Sequence, residues 1–336
     1  MAILGIEGTA HTLGVGIVRE EPGQPGRCQV LANQRDMIQP EEGGIIPREA
    51  AEHHAEIGPG LVQAALDEAG LTPGDITGVA YSQGPGLGPC LRVAATLARA
   101  LSLRLDVPLA GVNHCVAHLE IGRGLTDAKD PVLLYASGAN TQVIAFVRGR
   151  YRVFGETLDI GIGNALDKFA RDNDLPFPGG PKIEQAAAAS SQTFHELPYT
   201  VKGMDQCFAG TIIKAQRFVD EGVPFGDVCY SLQETAFASL CEVAERALAH
   251  TGKTELVLGG GVACNSRLQE MARQMVEARG GAYYCPPRPV LVDNGTMIAW
   301  LGHLKLNAGV NTELVDSGVR PHERTDHVEA LWRRTA

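Results

Sequence analysis

No stretch of this 336-residue chain approaches 18 consecutive apolar residues, which excludes a hydrophobic helix crossing a bilayer. The opening Met1-Ala2-Ile3-Leu4-Gly5-Ile6 lacks a basic segment and enters a strand pattern at once. No secretory leader is therefore expected, and the chain is expected in the cytoplasm with no membrane partner. The eight cysteines include no CxxC pair, so they read as reduced thiols or small core residues and not as a zinc or disulfide scaffold. Positive charge is short as well: 29 Lys and Arg against 39 Asp and Glu leave a formal net charge of −10. That argues against broad unaided nucleic-acid binding, which needs cationic surface to displace phosphate counterions. It leaves room for a local basic patch or a basic partner.

What is present begins with length. A chain of this size, 44% hydrophobic and 20% charged, fits one large or two medium domains with proper cores. Its organising stretch is Asn113-His114-Cys115-Val116-Ala117-His118-Leu119-Glu120. Histidines four apart on a helix lie one above the other, so both imidazoles can reach one metal ion. The alternative is one histidine packed in the core and the other capping or facing solvent.

Residues 3–18 predict a strand hairpin around a small Gly-Thr-Ala-His-Thr turn, with Glu7 where the first strand ends. Small residues there admit either a phosphate against backbone N–H groups or an ordinary Gly-rich hairpin. A strand over 30–38 and a helix opened by Pro47 follow, the helix carrying His53 and His54, one expected to be structural and one substrate-facing. Residues 76–82 read as a buried strand, 84–89 (GPGLGP) as a rigid loop without Gly-Lys-Ser/Thr, and 91–105 as a helix. Such a strand–loop–helix junction receives an anion or a close-packed backbone. The second half repeats the theme. Residues 131–146 form strand, small polar turn, strand, and further helices begin with the stretches 161–169 and 177–184. The span 190–212 reads as irregular and 227–250 as a long helix with a core-facing stripe. A strand over 255–258 leads through Gly259-Gly260-Gly261 into a helix over 266–279, and Asp293-Asn294-Gly295 starts a last helix. Asp at such a position is most often an N-cap, though it can also present its carboxylate to a metal; the second role is expected here. The pattern predicts an α/β fold, duplicated into two lobes. The first lobe takes residues 1–128 plus a C-terminal helix and tail from about 296 to 336, and the second takes 129–295.

Several long motifs occur in order: Gly5-Ile6-Glu7-Gly8-Thr9-Ala10-His11-Thr12, residues 84–92 (GPGLGPCLR), 177–184 (FPGGPKIE), 259–265 (GGGVACN), and Arg324-Thr325-Asp326-His327-Val328 with Trp332. Together they resemble the tRNA threonylcarbamoyladenosine synthases, the TsaD group, in the archaeal and eukaryotic branch. The resemblance covers essentially the whole chain. It implies the two-lobed actin–Hsp70–sugar kinase (ASKHA) fold with a central cleft. It implies a divalent metal held by His114, His118, Tyr135 and Asp293, with Fe2+ favoured and Zn2+ the alternative. Tyr135, Ala136, Ser137, Gly138, Ala139, Asp167, Gly180, Glu184 and Asn265 are implied contacts to an adenine nucleotide, whether threonylcarbamoyl-AMP or ATP. Glu7 would stand with His114 and His118 among the catalytic residues, near the phosphates. Implied partners are tRNA, a separate kinase-like ATPase subunit and the small subunits of the KEOPS complex. Two positions depart from the family pattern: Ala139 replaces a usual Gly, where a methyl crowds a ligand if the backbone needs positive φ, and Ile46 replaces a common His.

The reaction implied is transfer of threonylcarbamoyl from its AMP anhydride to N6 of adenosine 37 in tRNAs reading codons that begin with A. Rival readings are a small-molecule kinase of the same superfold, a metallopeptidase and a non-catalytic nucleotide-gated scaffold. His114-Cys115-x-x-His118 lacks the Glu of HExxH, so a peptidase would be missing its general base.

Overall fold

The computed structural model describes residues 1–38 and 44–333. The chain divides into two compact units. One comprises Met1–Asp127, Arg148–Tyr151 and Asp293–Ala336, and the other Ala128–Val147 and Arg152–Val292.

In the first unit, β1 (Ala2–Glu7), β2 (Thr12–Glu20), β3 (Cys28–Met37), β4 (Ile76–Gly84) and β5 (Leu109–Asn113) form one sheet in the order β3-β2-β1-β4-β5. The β1–β2–β3 meander is antiparallel, while β4 and β5 join parallel through crossover helices. Helix α1 (Pro47–Ala69) starts with Pro at its first turn and ends on Gly70 in the left-handed conformation. With α2 (Gly88–Leu105) it covers the sheet face carrying Leu4, Ile6, Leu13, Val15 and Ile17. Side chains alternate along a strand, so Gly5 and Glu7 belong to the opposite face. There lie α3 (His114–Leu125) and, returning at the end of the chain, α10 (Gly295–Asn307). The glycines of the hairpin are consumed by that return. A Cβ on Gly16 would stand 2.3 Å from the Thr296 amide nitrogen, and one on Gly295 would stand 2.1 Å from the Gly16 nitrogen. These glycines serve close backbone packing between the hairpin and α10.

The second unit repeats the strand plan. Its strands β6 (Val132–Ala136), β7 (Thr141–Val147), β8 (Arg150–Glu156, beginning in the first unit), β11 (Glu255–Gly259) and β12 (Ala282–Tyr284) run in the order β12-β11-β6-β7-β8. Here too an antiparallel hairpin is extended by parallel strands. Helices α4 (Ile162–Arg171), α5 (Gly179–Ala188), α6 (Ala209–Asp220), α7 (Phe225–Thr251), α8 (Ser266–Ala278) and the short α9 (Arg288–Leu291) complete it. The span expected to be irregular holds two two-residue strands, β9 (Val201–Lys202) and β10 (Asp205–Gln206), and the start of α6. Gly260 is required where β11 ends: its φ is 91°, and a Cβ there would lie 2.3 Å from the Ala136 carbonyl. No helix among the described residues is long and apolar enough to cross a membrane.

Candidate metal centre

Helix α3 begins where β5 ends because Asn113 caps it, its Oδ1 accepting from the Val116 N–H at 3.1 Å while its Nδ2 donates to Glu323. His114 and His118 then occupy one face a turn apart, their rings 4.9 Å between centroids and nearly perpendicular. Both are almost fully buried. At the start of α10 the capping is done by Asn294, whose side chain accepts from the Met297 N–H at 3.0 Å. Asp293 is thereby released from capping, and its Oδ1 stands 3.4 Å from the Nε2 atoms of both histidines. One ligand atom from each residue fits within 4.8 Å of the others.

The donor chemistry suits a borderline divalent cation. Burial pushes His118 below its ordinary value, which keeps the imidazole neutral with a lone pair to give. Donors about 2.1 Å from one ion in a tetrahedral arrangement stand about 3.4 Å apart, close to the separations between Asp293 and each histidine. Cys115, between the two histidines, is buried with its thiol pushed up by desolvation, so it is no thiolate ligand.

Glu7 is completely buried at the end of β1. Its Oε2 lies 3.0 Å from His114 Nδ1, and its Oε1 accepts from the Thr9 N–H at 2.7 Å and from the Thr9 hydroxyl. Thr9 carries no warning in the sequence beyond its place in a small turn. The loop 84–89 takes the close-packed role, its Leu87 N–H donating to the Thr9 carbonyl at 2.7 Å. His54 is buried against the Ala10 carbonyl at 3.0 Å, and His53 pairs with Asp36 at 3.2 Å. Neither belongs to the His114–His118–Asp293 group.

Tyr135, the remaining ligand that the resemblance implies, belongs to the second unit, fully buried near the end of β6 and paired in register with Gly259 and Gln142. Ala136 follows it, and Ser137-Gly138-Ala139 form a tight turn closed from the Ser137 N–H to the Asn140 carbonyl. That turn is stitched to α4, since Gly163 and Asn164 donate to the Ser137 and Gly138 carbonyls. Ala139 is not in the positive-φ region, so its methyl imposes no backbone strain. Asp167 accepts from the Gly179 N–H at 2.8 Å, joining α4 to α5, and a side chain on Gly180 would meet open space. Glu184 Oε1 accepts from the Ser266 N–H and hydroxyl, joining α5 to α8. Asn265 is the cap of α8, its Oδ1 accepting from Arg267 and Leu268 and its Nδ2 donating to Gln233. These residues therefore lie on elements tied together within the second unit, with Asn265 already occupied at both ends of its side chain.

The family model for TsaD, tRNA N6-adenosine threonylcarbamoyltransferase, matches residues 27–300. The chain belongs to this family. Among curated relatives, the tRNA N6-adenosine threonylcarbamoyltransferase of Thermococcus kodakarensis is 54% identical over 333 residues, covering 99% of this chain and 100% of that protein. A probable bifunctional tRNA threonylcarbamoyladenosine biosynthesis protein of Methanosarcina mazei is 55% identical over 333 residues. The match covers 98% of this chain but 59% of that protein, so the chain spans about three-fifths of the bifunctional relatives. Among solved structures, HypF of T. kodakarensis aligns with a TM-score of 0.63 at 16% identity, over 92% of this chain and 48% of HypF. That likeness concerns the fold alone, which is the duplicated ASKHA plan expected of TsaD-family transferases.

Proposed function

We propose that this chain transfers the threonylcarbamoyl group of threonylcarbamoyl-AMP to N6 of adenosine 37 in tRNAs reading codons that begin with A. What carries the reading is the end-to-end match to the T. kodakarensis transferase; the His114–His118–Asp293 trio supports it. The exocyclic amine of adenine is a poor nucleophile because its lone pair is delocalised into the ring. The anhydride with AMP supplies the activated carbonyl: the N6–carbon bond forms, the carbon–oxygen bond to AMP breaks, and N6 loses a proton. A divalent ion, Fe2+ in preference to Zn2+, would supply Lewis-acid polarisation of the carbamoyl or phosphate oxygens. His114 Nε2, His118 Nε2 and Asp293 Oδ1 would hold it, and two histidines with one carboxylate are a common ligand set for Fe2+. Asp167 and Glu184 would accept hydrogen bonds from ribose hydroxyls, Glu184 through Oε2. The open Gly180 at the start of α5 would let a phosphate approach first-turn N–H groups. The tyrosine ligand implied by resemblance is tested by Tyr135→Phe, which is expected to weaken metal binding without abolishing it.

The net charge of −10 fits a subunit that takes much of its tRNA grip from companions. The reading includes a kinase-like ATPase and small KEOPS subunits as those companions. The bifunctional name of the relative whose length exceeds this span supports a second activity beside this one in threonylcarbamoyladenosine biosynthesis. The test combines purified protein, these partners, threonylcarbamoyl-AMP and unmodified tRNA, followed by nucleoside mass spectrometry. Threonylcarbamoyladenosine is expected with the native chain and not with His118→Ala. Unmodified tRNA when every component is present, or full activity in the variant, overturns the assignment.

A further inference from the structure

We infer that Glu7 is a positioning residue and not a substrate-facing one: with Thr9 it fixes His114 as the Nδ1–H tautomer and so aims Nε2 at the metal. The inference rests on the metal reading above. A carboxylate that orients water or an attacking amine must reach solvent or substrate, yet Glu7 is 0% exposed. Each of its oxygens already has a protein partner. Oε1 takes the Thr9 N–H and hydroxyl, and Oε2 faces His114 Nδ1 at 3.0 Å. With Oε1 already accepting two hydrogens, the inferred donor in that last bond is the imidazole Nδ1–H. His114 then keeps its hydrogen on Nδ1 and offers a lone pair on Nε2, the atom 3.4 Å from Asp293 Oδ1. Acceptance by a carboxylate also raises the basicity of the metal-facing nitrogen.

The turn that carries this arrangement is pinned from three directions. Gly8 N–H donates to Ser82 Oγ at 3.0 Å, the Thr9 carbonyl accepts from Leu87, and the Ala10 carbonyl contacts His54. A supporting layer fixed before metal arrives saves the ordering cost on binding.

The experiment titrates metal-free protein with Co2+ alone and reads its absorption bands, with Fe2+ competition under anaerobic conditions. Glu7→Gln is expected to weaken Co2+ binding about 10- to 100-fold, with the metal-free unfolding midpoint measured alongside as a check on folding. Its side-chain amide would oppose one N–H to the donors of Thr9. Thr9→Val, which removes one donor to Glu7 and leaves the Glu7–His114 contact, is expected to weaken binding by a smaller factor. His118→Ala is expected to abolish it. Native affinity in Glu7→Gln alongside lost binding in His118→Ala overturns the role of Glu7 and leaves the metal site standing. Native affinity in His118→Ala overturns the metal reading and this inference with it. Nitrogen-15 spectra of histidine-labelled, metal-free protein give a readout independent of folding defects in variants. A hydrogen on His114 Nδ1 is expected, and an Nε2–H tautomer overturns the inference.

Discussion

Cys115 sits between His114 and His118 on α3, yet burial pushes its thiol up, as it does for Cys28. Cys90 is pushed up to about 11, and Cys229 and Cys241 to about 12. The thiolate is the reactive form, so at pH 8 these five residues remain unreactive thiols in the folded protein. Native alkylation followed by peptide mass spectrometry is expected to leave all five unmodified until denaturant is added; rapid labelling of Cys115 would contradict the burial argument. The i,i+4 spacing of His114 and His118 follows from helix geometry, so their shared face could be read directly. Glu7 was visible as an acid at a strand end, but its partners were not. Its bonds to Thr9 and His114 depend on a turn held by Ser82, Leu87 and His54, none of them near it in sequence.

At the scale of elements, α6 escaped sequence analysis for a physical reason. Phe208 at its N-cap supplies no side-chain cap. The capping is done from afar by Asp159, which accepts from the Phe208 N–H at 3.0 Å and the Ala209 N–H at 2.9 Å. Burial opposes the charge on Asp159, but these amides and that of Ile160 outweigh it and hold its carboxyl below the ordinary range. Asp159→Ala is expected to cost about 1–2 kcal/mol, the scale of a lost helix cap, and to raise hydrogen exchange at the start of α6 first. Helix α10 illustrates the converse dependence: its start at Asp293-Asn294-Gly295 was legible, but its seating on bare backbone was not. Gly16→Val would force a side chain into the Thr296 amide. A destabilisation of about 1–3 kcal/mol or more is expected from overpacking. The same substitution should weaken metal binding, because Asp293 immediately precedes α10. Chemical denaturation and Co2+ titration of the one variant check both. Native affinity in a destabilised variant would show that α10 does not set the carboxylate.

For the whole molecule, the repeated strand order made the duplicated α/β class legible from two hairpin patterns. Two small strands and α6 were lost to the absence of local signals. Stability against acid is a property of the same scale. His54 and His303 are both held below their ordinary value of 6.5, chiefly by burial. The unfolded chain therefore binds these protons more readily, and stability present above pH 6.5 is lost as pH falls below it. The unfolding midpoint is expected to drop between pH 7.5 and 5.5, and His303→Gln should shrink that drop. An unchanged difference would remove His303 from the account. The route of the chain adds a constraint in time. His114 and His118 are made early, but Asp293 emerges only after the entire second unit. At about 5–20 residues per second the delay is on the order of ten seconds or more. During that interval a nascent chain offers two imidazoles without their carboxylate, a poorer trap for any stray cation. On the proposed metal reading, selection of the ion is thereby deferred until Asp293 has followed the second unit out.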